Sequence, residues 1–355
     1  MESLRLKDQP QHFLKRIIKN PVFRFFVRRS LFIFLTLSVF TVLIFLLPRA
    51  VPGNPLALLL QKLYETAQSN PEQLRLVEQR LMNEFGVGKP LLQQFVDFVI
   101  RTLKGDLGTS FSMYPTKVED LIFSHIPFTL GLLLPATIVS WILGNLLGAF
   151  AAYRRKTLTD NALLSTFLVL STTPYYWLAM LLVYYFAVTL HLFPAGGAYP
   201  ITLSPSLSPT FIVAFLSHYT LPFLSIVISA IGVWAIGMRL MMIYEFGSDH
   251  ISFAEILGLS DRKIMTYAFR NSMLPQITGL ALNIGSMLGG ALLTEIVFNY
   301  RGTGYLVFRA LVTNDYPLIQ GIFLILISTL LIATLVVDVI YVYVDPRVRT
   351  GYSER

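Results

Sequence analysis

No cysteine occurs in the 355 residues of this sequence. That absence removes disulfide scaffolds, thiolate-bound zinc, iron–sulfur clusters and thiol nucleophiles together. Charge is scarce as well: Asp, Glu, Lys and Arg make up 14% of the chain, where soluble globular domains carry about 25%. The few histidines, His12, His125, His191, His218 and His250, all fall outside the apolar runs described below. They therefore build no metal site or proton relay across a bilayer. No H-E-x-x-H string is present, which excludes a zinc-protease helix. The nearest approach to a phosphate-binding loop is Gly86-Val87-Gly88-Lys89-Pro90. It has Asn83 where the first glycine belongs and proline where a magnesium-binding Ser or Thr belongs. The chain carries no recognisable site for hydrolysing ATP, and no cofactor site of its own is expected.

What the sequence has in abundance is apolar surface, with 54% hydrophobic residues and a mean hydropathy of +0.63. A hydrocarbon core of about 30 Å takes roughly 20 apolar residues in a helix. Six runs qualify: Leu31–Leu47, Thr129–Ala152, Asn161–Leu190, Tyr219–Ile243, Leu274–Phe298 and Leu318–Val344. The expected fold class is an all-α polytopic membrane protein with six transmembrane helices. The first run is too long for a cleaved signal peptide, follows a basic tail and lacks a small-residue cleavage site before Pro48.

Net charge is +8, which in a membrane chain reads as topology rather than affinity for nucleic acid. The basic residues gather in the tail from Arg5 to Arg29, at Arg154-Arg155-Lys156, at Arg239, Arg262, Lys263 and Arg270, and at Arg347, Arg349 and Arg355. The short loops of the other side hold only Arg301 and Arg309. Both termini are therefore expected in the cytoplasm.

The domain organisation follows: a cytoplasmic tail over 1–30, a first span over 31–47, an external subdomain over 48–128 and a core of five spans over 129–355. In the external subdomain, Pro71 opens an amphipathic helix that Gly86 can stop, and Leu91 to Leu103 forms a second after Pro90. The 191–218 loop, rich in Gly, Pro and Ser, reads as an external cap. Gly302-Thr303-Gly304 reads as an external turn.

Ionisable groups inside spans are functional candidates by default. Only Glu295 and Asp338 stand out. Both lie near span ends, where a structural role competes with an ion-coupled one. Ala281, Gly285 and Gly289 make one face of the fifth span nearly free of side chains, either for packing within the chain or for a seam with a partner. Gly144 and Gly148 do the same in the second span. The third span is interrupted by Thr172, Thr173, Pro174, Tyr175 and Tyr176, where proline kinks the helix. Those hydroxyls, with Asn283 and Ser286 of the fifth span, are candidates to line a pathway. The loop between spans four and five holds a short helix over His250–Leu257, capped by Ser248 or Asp249 and ended by Gly258. Its residues Ile251, Phe253, Ile256 and Leu257 are expected to face outward as an apolar knob. Few basic residues are there to hold it on anionic lipid, so docking to another protein is favoured.

Eight strings then make the chain familiar: Arg49-Ala50-Val51-Pro52-Gly53-Asn54-Pro55; Gly88-Lys89-Pro90-Leu91-Leu92-Gln93-Gln94; Lys104-Gly105-Asp106-Leu107-Gly108-Thr109-Ser110; Phe193-Pro194-Ala195-Gly196-Gly197; Arg270-Asn271-Ser272-Met273-Leu274-Pro275; Thr294-Glu295-Ile296-Val297-Phe298 with Gly302-Thr303-Gly304; Asn314 to Gly321; and Asp345-Pro346-Arg347-Val348-Arg349. In this order they resemble the permease subunits of dipeptide/oligopeptide-type ATP-binding-cassette importers, a family that includes nickel and oligosaccharide transporters. The resemblance implies a type I importer permease in a prokaryotic plasma membrane. It also implies a second homologous permease, two ATPase subunits that bind ATP and magnesium, and an external solute-binding protein. The loop 244–274 would be the coupling element, with Asp249, His250, Ile251, Phe253, Ala254, Glu255, Ile256, Leu257 and Gly258 docking on an ATPase. One departure stands out: members of that family commonly carry several basic residues just before the glycine, where this chain has Ser252 to Leu257. Short peptides are the expected solute and oligosaccharides the alternative, with a stand-alone ion-coupled carrier or channel as a reading from a different class.

Overall fold

A computed structural model describes residues 21–50, 88–285, 287 and 292–344. Side chains of 21–25, 48 and 336–344 are outside that description, as are the amphipathic helix expected after Pro71, Ser286, Gly289 and the carboxyl of Asp338. The described residues are helical, apart from connecting loops and one isolated bridge between Thr109 and Lys117. The chain divides into two units, one of Met1–Gly53 with Phe323–Arg355 and one of Asn54–Ile322.

The first unit holds α1 (Pro21–Ala50), an apolar helix that meets the length and hydropathy of a membrane span over Phe26–Leu47. Two of its four hydroxyls bond back within the helix, Ser38 Oγ donating to Phe34 O at 2.8 Å and Thr41 Oγ1 to Leu37 O at 2.7 Å. Arg49 closes it, donating to Phe45 O at 2.8 Å with its guanidinium 3.7 Å from the Phe45 ring. The cation thus covers the last turn, where carbonyls have no partners of their own.

In the second unit, α2 (Leu91–Leu103) follows Pro90 where the sequence places it. Next comes α3 (Val118–Tyr153), longer than its predicted span by about three turns because Pro127 is absorbed inside the helix. The third predicted span is two helices, α4 (Leu158–Thr172) and α5 (Tyr175–Leu182), with a π-helical extension over Val183–Thr189. They meet at 93°, a sharper break than the expected kink. Thr173, held extended as the residue before Pro174, makes the corner. The fourth span lies in α6 (Pro209–Phe246), which begins ten residues before Tyr219, so the predicted 191–218 cap ends at Ser208. Ser208 caps it by accepting from Phe211 N at 3.3 Å, and Pro209 sits where helices favour proline.

The short α7 (Asp249–Ile256) leads into α8 (Asp261–Gly285), and α9 (Leu292–Val297), α10 (Thr303–Val312) and α11 (Tyr316–Val344) complete the unit, α11 running on into the first. Among the described residues four helices are long and apolar enough to cross a membrane, or five if the bent pair is counted as one span. The expected fifth span, Leu274–Phe298, passes through residues outside the description.

Close helix approach holds α3, α4 and α6 together. A Cβ on Gly144 would lie 2.5 Å from Trp234 Cβ, one on Gly148 would overlap the Ala235 backbone, and one on Gly232 would lie 2.5 Å from Phe167 O. Without side chains at these points, α6 lies backbone to backbone between α3 and α4, the dispersion contact that drives packing in lipid. The expectation for Gly144 and Gly148 holds. Ala281, by contrast, is exposed. Arg239 on α6 binds Asp160 on α4 through both oxygens, Nε to Oδ1 at 2.7 Å and Nη2 to Oδ2 at 2.8 Å. The bidentate pair leaves neither charge unmatched in a poorly hydrated setting.

Candidate functional site

The α7 helix is built as an exposed blade on a buried root. Ser248 precedes it, its hydroxyl donating to Glu245 O at 2.6 Å, and Gly258 ends it with φ +74°, a conformation that costs glycine nothing. Phe253 (62% exposed), Ile256 (82%) and Leu257 (61%) stand in solvent. Ile251 corrects the sequence expectation. It is fully buried, packed with Ala149 and Ala152 of α3, Met238 and Met242 of α6, and Ile264 and Ala268 of α8. The reason is helical geometry: Ile251 and Ala254 are three apart and share the face turned to the spans. Phe253, Ile256 and Leu257 share the opposite face.

A polar clasp fixes the blade's angle. Asn271 of α8 donates to Glu245 Oε1 at 2.6 Å, and His250 Nε2 lies 2.6 Å from the same oxygen. One carboxylate at the end of α6 thus ties α7 to α8. Glu245 was not among the sequence candidates. Its only signal was position, a lone carboxylate just before the helix-ending Gly247-Ser248.

The predicted pathway residues lie at the α4–α5 corner. Thr172 and Thr173 are occupied by their own helix, donating to Leu168 O at 2.9 Å and Val169 O at 2.7 Å. Tyr175 and Tyr176 meet edge to face with centroids 6.2 Å apart, beside exposed Trp177. Asn283 is exposed on α8.

Comparison with known proteins now bears on this arrangement. Residues 144–350 match the family described as binding-protein-dependent transport system inner membrane component. The chain belongs to that family. Its relatives include a di/tripeptide transport system permease protein, DppB, of Pseudomonas aeruginosa, 28% identical over 92% of this chain and 98% of the relative. A putative peptide transport system permease protein of Brucella abortus is 30% identical over 88% and 94%, and the oligopeptide transport system permease protein AppB of Bacillus subtilis is 27% identical over 91% and 98%. The resemblance read from the eight strings is borne out. This is a multi-pass membrane permease, a transporter component rather than an enzyme.

In this permease several of those strings meet in space. Glu295 of α9 is fully buried and caps α10: its carboxylate accepts from Thr129 Oγ1 at 2.9 Å and from Tyr305 N at 3.0 Å, and the Gly304 amide also points at it. Thr129 Oγ1 in turn accepts from Thr303 N at 2.7 Å. A negative charge at a helix N-terminus meets unpaired amides and the positive end of the helix dipole. A Cβ on Gly302 would overlap the Glu295 carboxylate, and one on Gly304 would lie 2.7 Å from Leu292 Cα. The expected turn at 302–304 is therefore a cradle for Glu295, and the carboxylate has a structural role. The Phe193–Gly197 string joins the same cluster through Gly197 N to Phe298 O at 2.7 Å.

A second junction joins the 104–110 and 314–321 strings. Asp315 accepts from Ser110 Oγ at 2.5 Å, from Ser112 N and Oγ at 2.8 Å each, and from Leu318 N at 3.2 Å at the start of α11. Thr129 and Ala149 are 20 residues apart on α3, or about 30 Å at 1.5 Å per residue. The Glu295 cluster and the root of α7 are thus separated by about one hydrocarbon thickness.

Proposed function

We propose that this chain is one of two permease subunits in an ATP-driven, binding-protein-dependent importer, and that it forms half of the pathway for short peptides. The observation that carries the proposal is α7, an exposed apolar blade rooted in three long helices. Phe253, Ile256 and Leu257 enter a groove on an ATPase subunit. Asp249, His250 and Glu255 flank the contact, Ala254, expected there from the sequence, is buried against the spans with Ile251, and Gly258 lets the chain turn back. Because basic residues are absent before Gly258, the contact is mainly apolar. ATP and magnesium bind on the partner subunits. Both termini and α7 lie in the cytoplasm, and the 48–128 region with the 191–208 loop meets the solute-binding protein.

Coupling follows from packing. Interiors are close-packed, so a push on α7 moves what touches Ile251 rather than dissipating. Those contacts lie on α3, α6 and α8. Closure of the ATPases draws α7 with it and tilts the spans between two arrangements, a two-state switch biased by nucleotide. Thr172, Thr173, Pro174, Tyr175, Tyr176, Asn283 and Ser286 lie along the path, and Ala281 and Gly285 of α8, with Gly289 beyond it in sequence, form the seam with the second permease.

The peptide assignment draws on relatives named for di/tripeptides and oligopeptides. Exposed Tyr184 and Tyr185, rings 5.1 Å apart, also suit the faces of sugars, which keeps oligosaccharide as the second reading. Purification of the tagged full chain in mild detergent tests the assembly. Recovery of a second permease and two ATPase subunits is expected; a monodisperse chain that transports without them overturns the proposal and returns attention to an ion-coupled carrier.

A further inference from the structure

Beside α7, the ends of α3 and α8 leave a groove of about 610 Å³ that no segment of the described residues fills. Its size lies in the roughly 300–1,000 Å³ range of small-molecule sites. Leu146, Phe150 and Tyr153 form one wall at helical spacing, and Met265 and Phe269 form the other. Apolar walls alone at this depth describe any lipid-facing surface. The mouth is different. Arg262 lines it, and the Arg154 guanidinium lies 5.9 Å from the Phe150 ring and 6.0 Å from the Tyr153 ring, directly over the α3 wall. Arg155, Lys156 and Lys263, adjacent in sequence, are all exposed. Against these cations the groove offers one carboxylate, Asp261. Asp160, whose Oδ2 accepts from Lys156 N at 3.1 Å, is already bound by Arg239.

An apolar slot that opens between arginines at the end of a span matches one kind of molecule, with an acyl chain and an anionic head. Basic pockets between helix ends are where phospholipid phosphates are held. We propose that this groove binds one anionic phospholipid, its acyl chain against Phe150, Met265 and Phe269 and its phosphate between Arg154 and Arg262. Ala149, Met265 and Phe269 at the groove also pack in the cluster around Ile251. The lipid is thereby a ligand of the joint on which α7 turns, and anionic lipid stiffens that joint. Only this last step rests on the coupling role proposed above; the binding does not.

The test is native mass spectrometry of the full chain in mild detergent, titrated with phosphatidylglycerol or with phosphatidylethanolamine of the same acyl chains. One phosphatidylglycerol is expected to stay bound at concentrations where phosphatidylethanolamine dissociates. Arg154→Gln and Arg262→Gln each weaken retention roughly fivefold, about one exposed cation's share of headgroup attraction. Thr266→Trp, at an exposed lining position, blocks both lipids. Elution volume and helical circular dichroism show that these surface variants remain folded. Inorganic phosphate does not displace the lipid, because the chain fills the slot. Equal retention of the two lipids, or retention indifferent to all three substitutions, overturns the proposal. Because the readout uses the chain alone, it is independent of whether ATPase subunits co-purify.

Discussion

Around Thr129 the permease buries a carboxylate in a cage of hydroxyls and amides. Around Ala149, 20 residues further along the same helix, it buries alkyl and thioether groups and leaves its polar clasp near the surface. The first arrangement is directional. Each hydrogen bond at Glu295 fixes an angle, and Gly302 and Gly304 leave no slack. The second is a packed joint, in which side chains keep contact while helices shift by small amounts. On the coupling proposed above, the first is a rigid end that orients the helices and the second is the end that receives the stroke.

Substitutions test the contrast, and the largest effect is expected at the root of α7. Ile251→Asp places an unpaired charge among Met238, Met242 and Ile264 and should cost about 3–5 kcal/mol, seen as loss of monodisperse protein on size exclusion. Ile251→Ala, a smaller probe, should cost about 2–4 kcal/mol and lower the melting midpoint in detergent. At the rigid end, Gly302→Ala pushes a methyl into the Glu295 carboxylate and should cost about 1–3 kcal/mol. Asp315→Ala removes acceptors for Ser110, Ser112 and Leu318 and should cost about 1.5–3 kcal/mol by the same melt. A melt unchanged by Gly302→Ala would show that the Glu295 cluster yields, and the contrast would fail. The smallest stability effect belongs to Phe253→Asp and Leu257→Asp, within about 0.5 kcal/mol because both are exposed. These two should nonetheless abolish solute-stimulated ATP hydrolysis and uptake in the reconstituted complex. Normal uptake would remove α7 from the coupling path.

The sequence made the long helices legible because a membrane span announces itself by composition. α2 and α7 were legible through their punctuation, Pro90 before one and Ser248 and Gly258 around the other. The strings also pointed to the right places, but a string does not say what it touches. Only the fold shows that Gly302-Thr303-Gly304 wraps Glu295, about 7 residues away in sequence yet reached through α9, or that Ser110 finds Asp315 more than 200 residues on. The outward reading of Ile251 failed for a related reason. In a helix of only eight residues the apolar positions Ile251, Phe253, Ala254 and Ile256 are spread around its circumference, so periodicity cannot choose the buried face; neighbours at Ala149, Met242 and Ile264 choose it. The 93° corner at Pro174 was visible as a break but not as an angle, and the approach of α4 to α6 at Gly232 is likewise a contact no local pattern carries.

Cross-linking offers the most direct test of the coupling claim, and because the chain has no cysteine an introduced thiol is the only one it carries. Single Phe253→Cys, Ile256→Cys and Leu257→Cys variants, purified as the assembled complex and treated with a short thiol-to-amine cross-linker, should each join covalently to an ATPase subunit. Ala254→Cys, on the buried face, should not. If the three exposed positions give no adduct with an ATPase while the complex remains intact, α7 is not the docking element and the account of coupling is wrong.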